Sequence, residues 1–250
     1  MEMQEVLIKS SLDGTMQPSL IYRAKGENRP LMVCLHTWSF DRFNQVDSAL
    51  PIAKEYDFNL ILPDFRGPNL DSNPNCTLAC GSEYAKRDIK DAVDYFLSLG
   101  NVDKENVFLI GASGGGHMAE LMAGYCPEYF KAIAAFVGIS NLNDWVGENP
   151  NYTKHILACC SGSADEMAKR SPVSYIDTIA KANIKIFHGK YDPSVPVTHS
   201  IKLFNMIQEK HPTSKVYLDI FDGGHTNDWK QAMYWFMSQY KKDVGEKVTG

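Results

Sequence analysis

Val107-Phe108-Leu109-Ile110-Gly111-Ala112-Ser113-Gly114-Gly115-Gly116-His117 is the stretch from which the rest of the chain is read. Its first four residues form a hydrophobic strand, which runs into G-x-S-x-G and then into a helix-length segment. A serine on so sharp a strand-to-helix turn has a strained backbone, so the residues two before and two after it must be small. Gly111 and Gly115 supply that room and hold the Ser113 hydroxyl above the strand ends. The amide of Gly114, opening the next helix, then points toward a developing oxyanion. Taken alone, the motif also fits a turn that is simply tight, or one that holds a phosphate. A Walker loop is excluded, because no Lys-Ser or Lys-Thr follows the glycines.

On both sides of this turn, short β-branched runs alternate with helix-length segments of mixed polarity. Residues 4–9 and 18–24 read as two strands around the Asp13-Gly14 turn. Leu31 to Leu35 is a continuous apolar run of the kind buried on both faces. Residues 59–62, 107–110, 132–137, 184–187 and 216–220 complete a set of eight strands. Residues 83–99 carry Ile89, Ala92, Val93, Phe96 and Leu97, one apolar helical stripe. Residues 115–125, 197–210 and 227–240 also have helix length. The alternation predicts a single α/β domain over residues 1–250, with a mostly parallel eight-stranded sheet covered by helices on both faces. Residues 140–172 break the rhythm, and read as a small cap or as a loop wandering over the sheet's end.

A serine hydroxyl is a poor nucleophile until a histidine takes its proton, and an acid must orient that histidine. Ile186-Phe187-His188-Gly189-Lys190-Tyr191-Asp192 is a strand ending in a loop with an acid. Val216 to Phe221 is another strand, followed by Asp222-Gly223-Gly224-His225. Both candidates lie just past strand ends, where open α/β sheets place their sites. The expected triad is Ser113, Asp192 and His225. Asp222 lies too close to His225 and is assigned to the turn, and His188 to buried hydrogen bonding. His117 is assigned to local packing, while Asp165 and Asp177 have no strand to place them.

With these residues in order, the chain resembles an α/β-hydrolase, most closely the catalytic domains of the prolyl oligopeptidase-like family and its esterase relatives. Ser10 to Thr15 is similar to that family's opening hairpin, and Asp64-Phe65-Arg66-Gly67 to its strand-end turn. Ser171-Pro172-Val173, and His188-Gly189 with Asp192 and Val195-Pro196, resemble its later landmarks. The resemblance implies a second oxyanion donor from the loop after the third strand. That loop departs from the family's His-Gly, reading Leu35-His36-Thr37-Trp38. The backbone N–H role is carried to Trp38 rather than Thr37, because Thr37 occupies the glycine's place. A second departure is the propeller of the family's oligopeptidases, which the about 30 residues before the third strand cannot build.

Composition narrows the partners. The 250 residues are 44% hydrophobic and 22% charged with net charge −5, which offers no basic surface to nucleic acid. No apolar run approaches the roughly 20 residues needed to span a bilayer. The segment Met1 to Ser10 lacks the apolar core of a signal peptide, so a cytoplasmic location is expected. The six cysteines are too sparse for a disulfide scaffold and form no paired zinc motif. Cys76 and Cys80 share a loop and are either a bridge or a free pair.

The implied chemistry is acyl transfer to water without a metal or organic cofactor. Without a propeller to grip peptides, the leading expectation is a carboxylesterase for small acyl esters, those borne on carbohydrate among them. Trp38, Trp145 and Trp229, all near strand ends, are then candidates for stacking on substrate, with Thr37 beside them; the competing reading makes the tryptophans pocket wall or core. Arg66 is a candidate contact for an acidic substrate group, with a structural salt bridge as the favoured role. Two alternatives stand: a serine peptidase of the same family acting on short peptides, and a non-catalytic α/β-hydrolase used as a binding module.

Overall fold

A computed structural model describes residues 2–240. The chain runs β1 (Gln4–Lys9), β2 (Met16–Tyr22), β3 (Arg29–Leu35), α1 (Val46–Glu55), β4 (Asn59–Pro63), α2 (Glu83–Ser98), β5 (Val102–Ala112) and α3 (Gly114–Tyr125). It continues with β6 (Ala132–Phe136), α4 (Leu142–Glu148), α5 (Pro150–Cys159), α6 (Ala164–Lys169), α7 (Ile176–Ile179), β7 (Ile184–Gly189), α8 (Thr198–Lys210), β8 (Val216–Phe221) and α9 (Trp229–Gln239). The eight strands form one sheet in the order β1-β2-β4-β3-β5-β6-β7-β8. β2 pairs antiparallel with both β1 and β4, and every other pairing is parallel. This is the α/β-hydrolase arrangement that the alternation predicts.

The continuous apolar runs are explained by burial on two sides. Leu31, Val33 and Leu35 of β3 join one core with α2, α3 and α8. Met32 and Cys34, between them in sequence, join a second core with α1 and α9. Side chains alternate across a strand, so a strand covered on both faces has no polar position to spare.

One region differs from the sequence expectation, and a second is decided between the two readings that the sequence left open. α1 was not predicted, because Pro51 lies inside it and removes the donor that the Asp47 carbonyl would have accepted. Ala49 and Ala53 nevertheless bury against the sheet and hold the turn together. Residues 140–172 are a cap of three short helices rather than a loop. Asn141, Asn149 and Ser163 each accept a backbone N–H at a helix start, and Pro150 sits in the first turn of α5.

Arg66 is a structural tie. Its guanidinium bonds Asp88 of α2 at 2.5 Å, Asp13 at 2.8 Å and Ser10 at 3.1 Å, joining the opening hairpin to the end of β4.

Candidate active site

Ser113 adopts φ 56°, ψ −119°, a conformation that non-glycine residues avoid. The surroundings impose it. A side chain at Gly111 would collide with the Gly115 carbonyl, and one at Gly114 would lie 2.5 Å from the Trp38 nitrogen. The strand, the turn and the loop after β3 therefore meet backbone to backbone, which only glycine allows. The Ser113 amide bonds the Phe136 carbonyl at 2.9 Å, anchoring the turn to β6.

The structure brings Ser113, Asp192 and His225 together from the ends of β5, β7 and β8. His225 Nε2 lies 2.9 Å from Ser113 Oγ, and its Nδ1 lies 2.7 Å from Asp192 Oδ2. The other Asp192 oxygen accepts the amides of Ser194 at 2.8 Å and Val195 at 2.9 Å. The Asp192 side chain is fully buried, whereas His225 keeps 25% of its side chain exposed at the cavity. Burial by itself would raise the Asp192 carboxyl. Hydrogen bonds from His188 and His225 and the Val195 amide outweigh it and hold the group well below the usual carboxylate range. An ionised acid behind the imidazole stabilises the imidazolium that forms when the serine gives up its proton.

The Thr37 amide is committed to Asn44 Oδ1 at 3.1 Å, which leaves the neighbouring Trp38 amide for the oxyanion. A side chain at Gly114 would lie 2.5 Å from both the nitrogen and the Cα of Trp38, so the two backbone segments that carry the candidate donors approach each other closely. Gly114 is the first residue of α3, where no intrahelical acceptor exists for its N–H.

A cavity of about 240 Å³ opens over these groups. Thr37, Trp38 and Phe40 from the loop after β3, Val137 after β6, Tyr152 of α5 and Asn227 before α9 wall it, together with Ser113 and His225. None of the residues lining it is Asp, Glu, Lys or Arg. A second, more polar recess of about 400 Å³ adjoins it, sharing Ser39 and Tyr152.

The tryptophan expectation is corrected for two of its three members. Trp145 is buried, donates Nε1 to the Ser194 carbonyl at 3.0 Å, and meets Trp38 edge-on at 4.9 Å. Trp229 packs on Phe136 at 6.0 Å, outside the cavity lining. Both are packing residues; Trp38 and Thr37 do reach the lining. Phe40 and Tyr152 were not singled out from sequence. Phe40 had one signal, its place in the loop that follows the oxyanion residue. Tyr152 had none, since its approach depends on how the cap folds.

The model of the prolyl oligopeptidase family matches residues 46–243. The chain belongs to the prolyl oligopeptidase family. Within this family's reach, it is 23% identical over 253 residues to an acylamino-acid-releasing enzyme of Arabidopsis thaliana, covering 90% of this chain and 31% of that protein. It is 33% identical over 93 residues to feruloyl esterase B of Neurospora crassa, covering 36% of this chain and 31% of that protein. Uncomplexed acylaminoacyl peptidase of Pyrococcus horikoshii shares the fold, with TM-score 0.76 and 20% identity over 98% of this chain and 42% of that one. The chain thus spans about a third of the length of these two curated relatives. Among the described residues, no helix is long and apolar enough to cross a membrane.

Proposed function

We propose that this prolyl oligopeptidase-family chain is a serine hydrolase acting on short, neutral, N-acylated peptide substrates through an acyl-enzyme. The observation that carries this is the uncharged lining of the cavity. A peptidase that reads a free amino terminus must place a carboxylate against the ammonium group, and leaving a charge unpaired in a recess is costly. Here the walls are aromatic, aliphatic and hydroxyl- or amide-bearing, which suits a blocked amine or an acyl chain. The names of the acylamino-acid-releasing and acylaminoacyl peptidase relatives support the same substrate class. This moves peptides ahead of the esters that the sequence put first.

In this reading His225 Nε2 takes the Ser113 proton as Oγ attacks the carbonyl carbon. The Trp38 and Gly114 amides receive the oxyanion, and Asp192 stabilises the imidazolium. His225 then protonates the leaving amine, and water repeats the sequence on the acyl-enzyme.

The feruloyl esterase relative and the aromatic walls Trp38, Phe40 and Tyr152 favour a second reading, hydrolysis of esters with an apolar or aromatic acyl group. One experiment separates the two. Wild type and Ser113→Ala are assayed on acetyl-phenylalanyl p-nitroanilide, phenylalanyl p-nitroanilide and p-nitrophenyl butyrate. The proposal expects the acetylated anilide to be cleaved at least about tenfold more efficiently than the free one, with activity falling by about 10³ or more in the variant. Preference for the free amine would sink it, and cleavage of the ester alone would put the esterase reading first.

A further inference from the structure

The cavity over Ser113 continues into a polar recess that the mechanism leaves unused. Ser39 and Tyr152 border both spaces, and Asn149, Asn151, His155 and Ser194 complete the polar lining of the recess, about 400 Å³ in volume. Hydroxyl, carboxamide and imidazole groups meet there, and among the described residues no Asp, Glu, Lys or Arg lines it. Its walls come from three separate parts of the chain: the loop after β3, the first turns of α5, and the turn that carries Asp192.

Two of these walls are braced against each other. The Asn149 side chain donates Nδ2 to the Ser194 carbonyl at 2.9 Å and accepts the Asn151 amide at 3.2 Å. The Ser194 amide holds Asp192 at 2.8 Å, so the start of α5 is fixed to the turn of the acid. His155 is tied through Nδ1 to Asp71 at 2.8 Å, which leaves Nε2 as the ring nitrogen for a ligand. Asn151 is exposed at the second position of α5, and its backbone is already bonded, so the helix start does not depend on its carboxamide.

The position of the recess assigns it to one side of the scissile bond. His225 protonates the leaving amine, so the leaving group lies against His225. His225, Thr226 and Asn227 line the cavity but, among the described residues, not the recess. The recess opens instead at Ser39, next in sequence to the oxyanion donor Trp38, and so lies on the side of the acyl group. We propose that it is a subsite for a second, neutral peptide unit on the acyl side of the cleaved bond, held by the Asn151 carboxamide. This rests on the acylated-peptide reading above and narrows it to substrates with a second amide ahead of the scissile bond. An added residue lengthens an extended acyl chain by about 3.5 Å toward the recess. A carboxamide both donates and accepts, so Asn151 can pair with the N–H or the C=O of that unit.

The test compares the p-nitroanilides of acetylphenylalanine, acetylglycylphenylalanine and pentanoylphenylalanine on the full chain. The acetylglycyl and pentanoyl groups have the same length, but only the first carries a second amide. Wild type should favour the acetylglycyl substrate over both others in kcat/KM by roughly three- to tenfold, which is what one net hydrogen bond supplies. Asn151→Ala should bring that preference within about twofold of unity, and Asn151→Trp, which fills the recess, should lower it at least as far. Both variants should leave acetylphenylalanine p-nitroanilide within about twofold of wild type. Equal gains from the acetylglycyl and pentanoyl groups, a preference that survives both variants, or a loss shared by all three substrates in Asn151→Ala overturns the subsite. The p-nitrophenyl esters of the same three acyl groups are run in parallel. The expected ranking on esters beside inert anilides keeps the subsite and sinks the peptide reading, whereas cleaved anilides without the ranking do the reverse.

Discussion

His188 and His225 approach the same oxygen of Asp192 from two sides, at 3.4 Å and 2.7 Å. A carbonyl only accepts, so the 2.9 Å contact between His188 Nε2 and the Val195 carbonyl puts a hydrogen on Nε2. His188 Nδ1 then accepts from Ser200 Oγ at 2.6 Å. The Val195 amide in turn donates to the other Asp192 oxygen. His188 is therefore a positioning residue that holds both the acid and the turn carrying it.

His188→Gln should lower kcat by about tenfold with KM nearly unchanged, because the acid's orientation is lost while the cavity is not. A drop in folded fraction with kcat per folded molecule unchanged would reduce His188 to a packing role.

Gly114→Ala should separate catalysis from folding. The new methyl would sit 2.5 Å from both the nitrogen and the Cα of Trp38, forcing apart the two backbone segments whose amides are proposed to receive the oxyanion. Loss of one such donor costs roughly 10²–10³ in kcat. Gly147→Ala, where nothing lies within 4 Å, is the control and should leave kinetics alone. Wild-type kcat in Gly114→Ala would remove Trp38 and Gly114 from the mechanism.

Glu120 makes stability depend on pH. It is buried in α3 with no partner for either carboxyl oxygen, and burial pushes its pKa from 4.5 up to about 8. Between those values the folded chain holds a proton that the unfolded chain releases, so this group's contribution falls as pH rises through that window. Glu120→Gln removes the dependence. Urea unfolding at pH 5.5 and 8.5 should show the variant gaining on wild type at the higher pH by on the order of a few kcal/mol. Identical pH dependence of the two proteins would contradict the assignment.

Arg66→Ala should cost stability rather than binding. It strands Asp88, a carboxylate buried with only 1% of its side chain exposed, and unties the opening hairpin from α2. Breaking a buried pair this way costs about 3–5 kcal/mol. KM for a neutral substrate should stay within about twofold of wild type at a temperature where both are folded. A selective rise in KM for acidic substrates would return Arg66 to the site.

The eight strands were legible because each carries a local signature, an apolar run bounded by turns, that burial on two faces demands. Their ends were less so: β5 begins at Val102, through the polar stretch Asp103-Lys104-Glu105-Asn106, because Arg29 pairs with Val102 across an irregularity in register. Ser113 was legible because its strain requires glycines at fixed offsets. α1 was hidden by Pro51, whose local cost is met by packing that a sequence does not display. Residues 140–172 stayed open between a cap and a loop because the helices there are short and their caps are single residues.

The strand–turn–helix around Ser113, the positions of Asp192 and His225 past strand ends, and the α/β class follow from the sequence alone. They rest on short-range sterics and on the periodicity of burial, which neighbouring residues encode. Tertiary structure alone decided that Trp145 and Trp229 pack away from the cavity while Phe40 and Tyr152 face it. It alone placed His188 behind Asp192. Each of these is a contact between segments far apart in the chain, fixed by which surfaces exclude water together, and no local pattern records it.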